Sequence, residues 1–217
     1  MALHRLTIYD EPEAVTPKPN IPKTIGNIPP DTQEFRVAVH EAGHAITAWL
    51  CTAVVNINHI TISDHGGQTN VTMTKKSLDA FWCDLVITLA GFAAEVTIYR
   101  NGRSGPMAND LLIARELANI LIQNGANTSP WKKVSSGTLN FQKMFQQPLS
   151  ENERQVIEAG YQHARYLLQQ HLSSHHRLVV YLLRHRTVTE KEMETLFGKR
   201  TFIFTAGLFR DTFVGAP

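Results

Sequence analysis

Residues 38–45 read Ala38-Val39-His40-Glu41-Ala42-Gly43-His44-Ala45, two imidazoles four positions apart with a carboxylate directly after the first. On a helix such imidazoles share one face about one turn apart, so their ring nitrogens can converge on one metal ion. Glu41 projects roughly 100° around that helix, off the ligand face but placed to take a proton from water at the metal. The H-E-x-x-H pattern therefore suits a Zn²⁺ site with its own general base. Three fixed positions in a chain with 10 histidines also fit a surface helix that merely carries these residues, so the flanks matter. Asp31-Thr32-Gln33-Glu34 has the form of a capping box, with Asp31 as N-cap and Glu34 reaching back. Phe35, Val39, Ala42, Ile46 and Trp49 keep a helical apolar spacing, and no proline interrupts it before Cys51. The pattern predicts a helix over about residues 32–53. Gly43 costs that helix up to about 1 kcal/mol relative to alanine, and a glycine beside a ligand lets another element approach closely.

The rest of the composition excludes several classes. A length of 217 residues suits one good-sized domain or two small ones. A formal net charge of +2, with no dense Lys/Arg run and no basic patch interleaved with aromatics, argues against a nucleic-acid partner. Cys51 and Cys83 lie in apolar helical contexts without C-x-x-C spacing, and read as buried, reduced thiols. The richest apolar stretch, Leu85 to Tyr99, contains Glu95 and falls short of the roughly 20 residues a bilayer crossing needs. Met1-Ala2-Leu3-His4-Arg5 is not followed by the apolar region of a secretory signal. The expectation is a soluble, cytoplasmic protein without a membrane span.

Along the chain, residues 1–30 hold six of the ten prolines and read as an extended arm. His59 to Ser63 and Gln68 to Met73 alternate apolar and polar residues around Asp64-His65-Gly66-Gly67, which predicts a hairpin. Ser77 caps a second helix running to about Ile98, and a third runs from Asn109 or Asp110 to about Gln123. Residues 124–149 lack periodicity and read as a long connection. Ser150-Glu151-Asn152-Glu153 is a capping box for a helix to about His171, Ser174 to His185 reads as helical, and Thr189 to Glu192 caps a last helix ending at Gly198. Residues 199–217, with Phe202, Phe204, Leu208, Phe209 and Phe213, form an apolar tail suited to docking on the body or on another subunit.

A catalytic zinc takes three protein ligands and keeps one position for water. Two acids compete for the third place. Glu95 lies among small residues in Leu89-Ala90-Gly91-Phe92-Ala93-Ala94-Glu95, and Asp110 stands at the start of a helix, where an acid is common for other reasons. Spacing alone does not separate them.

A resemblance does. Ala38 to Ala45 resembles the metal-binding helix of the peptidase domain of the FtsH family, the membrane-tethered AAA zinc proteases. Leu89 to Glu95 resembles the family's L-x-G-x-A-A-E helix. Ser104-Gly105-Pro106-Met107-Ala108-Asn109-Asp110-Leu111 resembles its S-G-A-x-N-D-[LI] segment with one residue added. Ala114-Arg115, the Ala159, Tyr161 and Ala164 helix, and Thr189 to Leu196 follow in the family's order, so the likeness covers about residues 32–198. It implies a mainly α peptidase domain over 31–198 with a small β-hairpin or sheet beside the zinc helix. It also implies Zn²⁺ held by His40, His44 and Asp110, Glu41 as catalytic base, and a supporting role for Glu95. By the same likeness the hairpin carries a strand edge, near Asn70 and Val71, that holds an extended substrate by backbone pairing, and self-assembly follows the family's hexameric rings. The chain departs from the family in that no G-x-x-x-x-G-K-[ST] phosphate loop occurs in its 217 residues, and the 124–149 loop and the C-terminal tail have no clear family counterpart. The expectation is thus a stand-alone zinc endopeptidase acting on unfolded or flexible protein or peptide segments, with an ATPase or unfoldase as a partner in trans. The competing expectation is a non-enzymatic, zinc-stabilised adaptor or inhibitor docking on a related ring protease, against which the intact Glu41 counts.

Overall fold

The computed structural model describes residues 32–74, 77–99, 107–125 and 148–200. The proline-rich arm, most of the 124–149 connection and residues 201–217 lie outside these. Within them the chain is mainly helical, in the order α1 (Gln33–Leu50), β1 (Val54–Ser63), β2 (Gly66–Met73), α2 (Leu78–Tyr99), α3 (Met107–Gln123), α4 (Glu151–Gln170), α5 (Leu172–His185), β3 (Thr187–Val188) and α6 (Glu190–Phe197).

The motif helix α1 is buried along nearly its whole length, packed against α2, α5 and the sheet. Its N-cap is Thr32, not Asp31: Thr32 is extended and its Oγ1 accepts from the Phe35 amide at 3.2 Å. That moves the frame by one residue, so Glu34 pairs with Arg186 at 2.9 Å instead of closing a box. The helix ends at Leu50, short of 53, because Cys51 turns extended. No basic residue stands in its last turn. Arg200 supplies the missing charge from far along the chain, donating to the carbonyls of Ala48 at 2.8 Å and Trp49 at 3.1 Å.

Helix α2 is apolar on all sides, as a helix enclosed by others must be. It packs on α1, α3 and α4. At 22 residues it meets the length and composition needed to cross a membrane, which corrects the expectation that no segment does. Its burial within the fold accounts for that apolarity. The crossing with α1 is close because Gly43 has no side chain: a Cβ there would stand 2.6 Å from the Ala90 carbonyl oxygen and 2.8 Å from the Ala94 Cβ.

The sheet has the order β2-β1-β3, all antiparallel, so β2 is an edge among the described residues. β1 starts at Val54, five residues before the alternating stretch, because irregularities between Val54 and Asn56 and between Ile57 and His59 break the period of two. Only Asp64 and His65 form the turn, with Ser63 opposite Gly66. β3 pairs two residues with Ile60 and Thr61, too short a strand to leave a sequence pattern. α3 begins at Met107, two or three residues before the expected start, and α5 at Leu172. The capping boxes of α4 and α6 form as expected, with Ser150 and Glu153 in one and Thr189 and Glu192 in the other. Glu153 also accepts from Arg115 at 2.8 Å and Asn119 at 3.2 Å, tying α3 to α4.

Two buried histidines brace the helices. His175 on α5 donates from Nε2 to the Val39 carbonyl at 2.9 Å, and His163 on α4 accepts from the Trp82 indole at 3.3 Å.

Two predictions follow from this packing. Gly43→Ala pushes a methyl into helix backbone and should lower stability by about 2 kcal/mol in urea unfolding. Gly160→Ala, whose new Cβ meets only Leu85 and Leu89 side chains at 3.0–3.1 Å, should stay within about 1 kcal/mol of the parent. The second concerns acid. Burial holds His163 down to about 3 and His175 down to about 4, while both titrate near about 6.5 once unfolded. Between those values the unfolded chain binds more protons, so stability is full above about pH 6.5 and falls as pH drops through the window. The melting temperature should decline from about pH 6.5 to pH 4.5, and less steeply in a His163→Gln/His175→Gln variant.

Candidate metal centre

The acid and imidazole groups that sequence spacing left unconnected meet where α1, α2, α3 and β2 come together. His40 Nε2 lies 2.8 Å from Asp110 Oδ2 and 3.0 Å from His44 Nε2, and His44 Nε2 lies 3.4 Å from Asp110 Oδ2. Tetrahedral zinc with bonds of about 2.0–2.1 Å holds its ligand atoms about 3.3 Å apart, so this triangle fits one ion with small side-chain adjustments. Among the described residues it is the one such group of three.

The other nitrogen of each imidazole is committed elsewhere. His40 Nδ1 donates to Glu95 Oε1 at 2.6 Å, and His44 Nδ1 donates to the Ile87 carbonyl at 2.7 Å. Both partners belong to α2, so that helix fixes both rings and turns both Nε2 atoms toward Asp110. Glu95 is fully buried and reaches the far side of His40, which separates it from the triangle. Of the two acids, Asp110 completes the group and Glu95 orients it.

The charges show what the site needs. Burial pushes the His40 imidazole down, yet the Asp110 and Glu95 carboxylates outweigh burial and hold it up at about 10. Burial likewise pushes Asp110 up, and His40 and His44 overcome it, keeping the carboxyl well below the usual carboxylate range. Two carboxylates thus draw a proton onto His40, where a cation can stand instead. Two imidazoles and one carboxylate, with no thiolate, are a donor set suited to Zn²⁺.

Glu41 is buried beside this group, and its carboxylate accepts from the Thr69 hydroxyl at 2.8 Å. Two glycines make room. At Gly91 a Cβ would stand 2.5 Å from His44 Nε2 and 2.6 Å from His40 Nε2; at Gly67 it would stand 2.4 Å from Glu41 Cγ. Sequence reading missed Thr69, Gly67 and the Ile87 carbonyl. Only the parity of β2, which turns residue 69 to the same face as Val71 and Met73, could have pointed to the first. Asn70 turns the other way, toward Asn58 at 2.6 Å.

Gly91→Ala should strengthen α2 as a helix yet place a methyl against both Nε2 atoms. The expected outcome is a folded protein whose bound zinc, measured by mass spectrometry of the metal, falls from one per chain to well below half.

Comparison with known proteins agrees in extent. The model of Peptidase family M41 matches residues 28–196. ATP-dependent zinc metalloprotease FtsH 1 of Thermoanaerobacter sp. is 22% identical, across 90% of this chain and 35% of that protein. FtsH 3 of Petrotoga mobilis and FtsH 1 of Rhodopirellula baltica, which carry the same description, are each 26% identical over 76–77% of this chain and 28–29% of their own length. The chain therefore spans about a third of the length of these curated relatives. With the family model matching well over half of its residues, the chain belongs to peptidase family M41.

Proposed function

We propose that this chain is a zinc-dependent endopeptidase that hydrolyses peptide bonds in unfolded or flexible protein segments. The observation that carries the reading is the convergence of His40, His44 and Asp110 with a buried carboxylate, Glu41, held beside them. An adaptor has no use for that carboxylate.

The chemistry that bound Zn²⁺ supplies is Lewis acidity, which lowers the pKa of water toward neutrality and polarises a carbonyl. The protein's residues do the rest. His40 and His44 offer Nε2, aligned by Glu95 and Ile87, and Asp110 offers one carboxylate oxygen. Glu41 takes a proton from the attacking water and later delivers it to the leaving amine nitrogen. The β2 edge runs past Glu41 and is suited to receive an extended peptide by main-chain pairing. A peptide bound that way must already be extended, which favours unfolded substrates.

The relatives named above are described as ATP-dependent, and no phosphate loop occurs in these 217 residues. Hydrolysis at this site needs no nucleotide, and an ATPase acting in trans would extend it to folded substrates. Assembly of several copies, as hexamers, is part of the same proposal. The buried thiols Cys51 and Cys83 accord with a reducing compartment such as the cytoplasm.

Cleavage of casein by the wild type and by Glu41→Gln, with zinc content measured on both, tests the reading. The variant should keep one zinc per chain and lose at least about 100-fold in rate. A chelator should stop the wild type, and added zinc should restore it. Equal cleavage by Glu41→Gln contradicts the mechanism.

A further inference from the structure

Glu41 is held from outside its own helix. Thr69 Oγ1 lies 2.8 Å from Glu41 Oε2 and 3.2 Å from the Glu41 carbonyl oxygen. A hydroxyl has one hydrogen, and the charged acceptor at the shorter distance takes the larger share. Thr69 itself is fixed by the sheet, opposite Ile60, which is fully buried and pairs on its other side with Val188. Two residues earlier the backbone of Gly67 comes so close to Glu41 Cγ that no side chain fits between. One strand therefore supplies both the lid over the Glu41 side chain and the donor to its carboxylate.

A glutamate has three rotatable side-chain bonds, and burial alone does not choose among the carboxylate orientations they allow. The Thr69 donor does: it engages Oε2 and leaves Oε1, the oxygen beside Gly67, as the one to receive a proton. The ligands are governed separately, His40 by Glu95 and His44 by the Ile87 carbonyl, both on α2. The work is thus divided, with α2 orienting the two imidazoles and β2 orienting the base.

We propose that Thr69 is a positioning residue that sets the orientation of the Glu41 carboxylate for proton transfer without acting on the metal ligands. The inference rests on the peptidase reading of the site. It also couples that base to the strand whose edge, among the described residues, would take the peptide, so that any shift of β2 on binding reaches Glu41 through Thr69 and Gly67.

Thr69→Val removes the hydroxyl at nearly constant volume, and Thr69→Ser restores it. On the zinc-loaded full chain, with casein-derived peptide as substrate, Thr69→Val should lower kcat by about 10-fold to 100-fold with KM within about twofold, a spread expected of an unmoved binding step. Zinc should remain at one per chain, and Thr69→Ser should recover most of kcat. A second measurement reads the contact without any activity. Thr69→Val should lower the melting temperature by about 5 °C in the parent, the scale of a hydrogen bond to a buried charge. In a Glu41→Ala background, where the acceptor is gone, the same change should shift it by no more than about 1 °C. Unchanged kcat in Thr69→Val, loss of zinc in that variant, or equal thermal losses in both backgrounds each overturn the proposal. A wild type no faster than Glu41→Gln would instead contradict the peptidase reading, and the thermal cycle would then decide the contact by itself.

Discussion

The close crossing of α1 and α2 is the constraint from which the rest of the site follows. Two helices normally pack with axes about 8–10 Å apart, separated by side chains. Here Gly43 removes the side chain on one helix and Gly91 removes it on the other. The first lets backbone meet backbone, and the second leaves open the space the two imidazoles fill. Because α2 lies this near, its Glu95 carboxylate and Ile87 carbonyl reach both Nδ1 atoms, and neither ring is free to turn. The helical cost of two glycines, about 1 kcal/mol each relative to alanine, is offset by the apolar burial along α2 that the crossing allows.

Electrostatics then makes the site depend on a cation. His40 stands between two carboxylates, one fully buried and one partly so. Buried charges without compensation are costly, and a pair is worth keeping only when its geometry and hydrogen bonds are complete. Burial pushes the His40 imidazole down, but the carboxylates of Asp110 and Glu95 hold its pKa up at about 10, so positive charge is favoured there. Asp110 reaches that cluster because α3 begins at Met107 and is tied to α4 through Arg115 and Glu153. Glu41 adds a smaller pull on the His40 proton and is itself held by β2. The imidazoles and Glu41 thus share α1 but are oriented from different elements, α2 and β2.

Local features were legible in the sequence, and tertiary ones were legible only by resemblance. The motif helix, the hairpin, the capping boxes of α4 and α6 and the helix breaker Gly198 each rest on a few adjacent residues, and each formed. The N-cap moved from Asp31 to Thr32 because either side chain can cap and only the chain's entry angle chooses between them. β3 was invisible because two residues carry no period, and the start of β1 was hidden by its irregularities. Asp110 and Glu95 illustrate the limit: both are acids on helices, and their roles differ only through which side of His40 each one reaches. Thr69 left no signal at all beyond its parity on β2.

The central claim is that His40, His44 and Asp110 together form one zinc site on this crossing. X-ray absorption at the zinc edge of the loaded full chain tests it most directly. The account predicts four nitrogen or oxygen neighbours at about 2.0–2.1 Å, with the outer-shell scattering of two imidazoles, reduced to one imidazole in His44→Ala. A sulfur neighbour at about 2.3 Å, or an imidazole count unchanged in that variant, would contradict it.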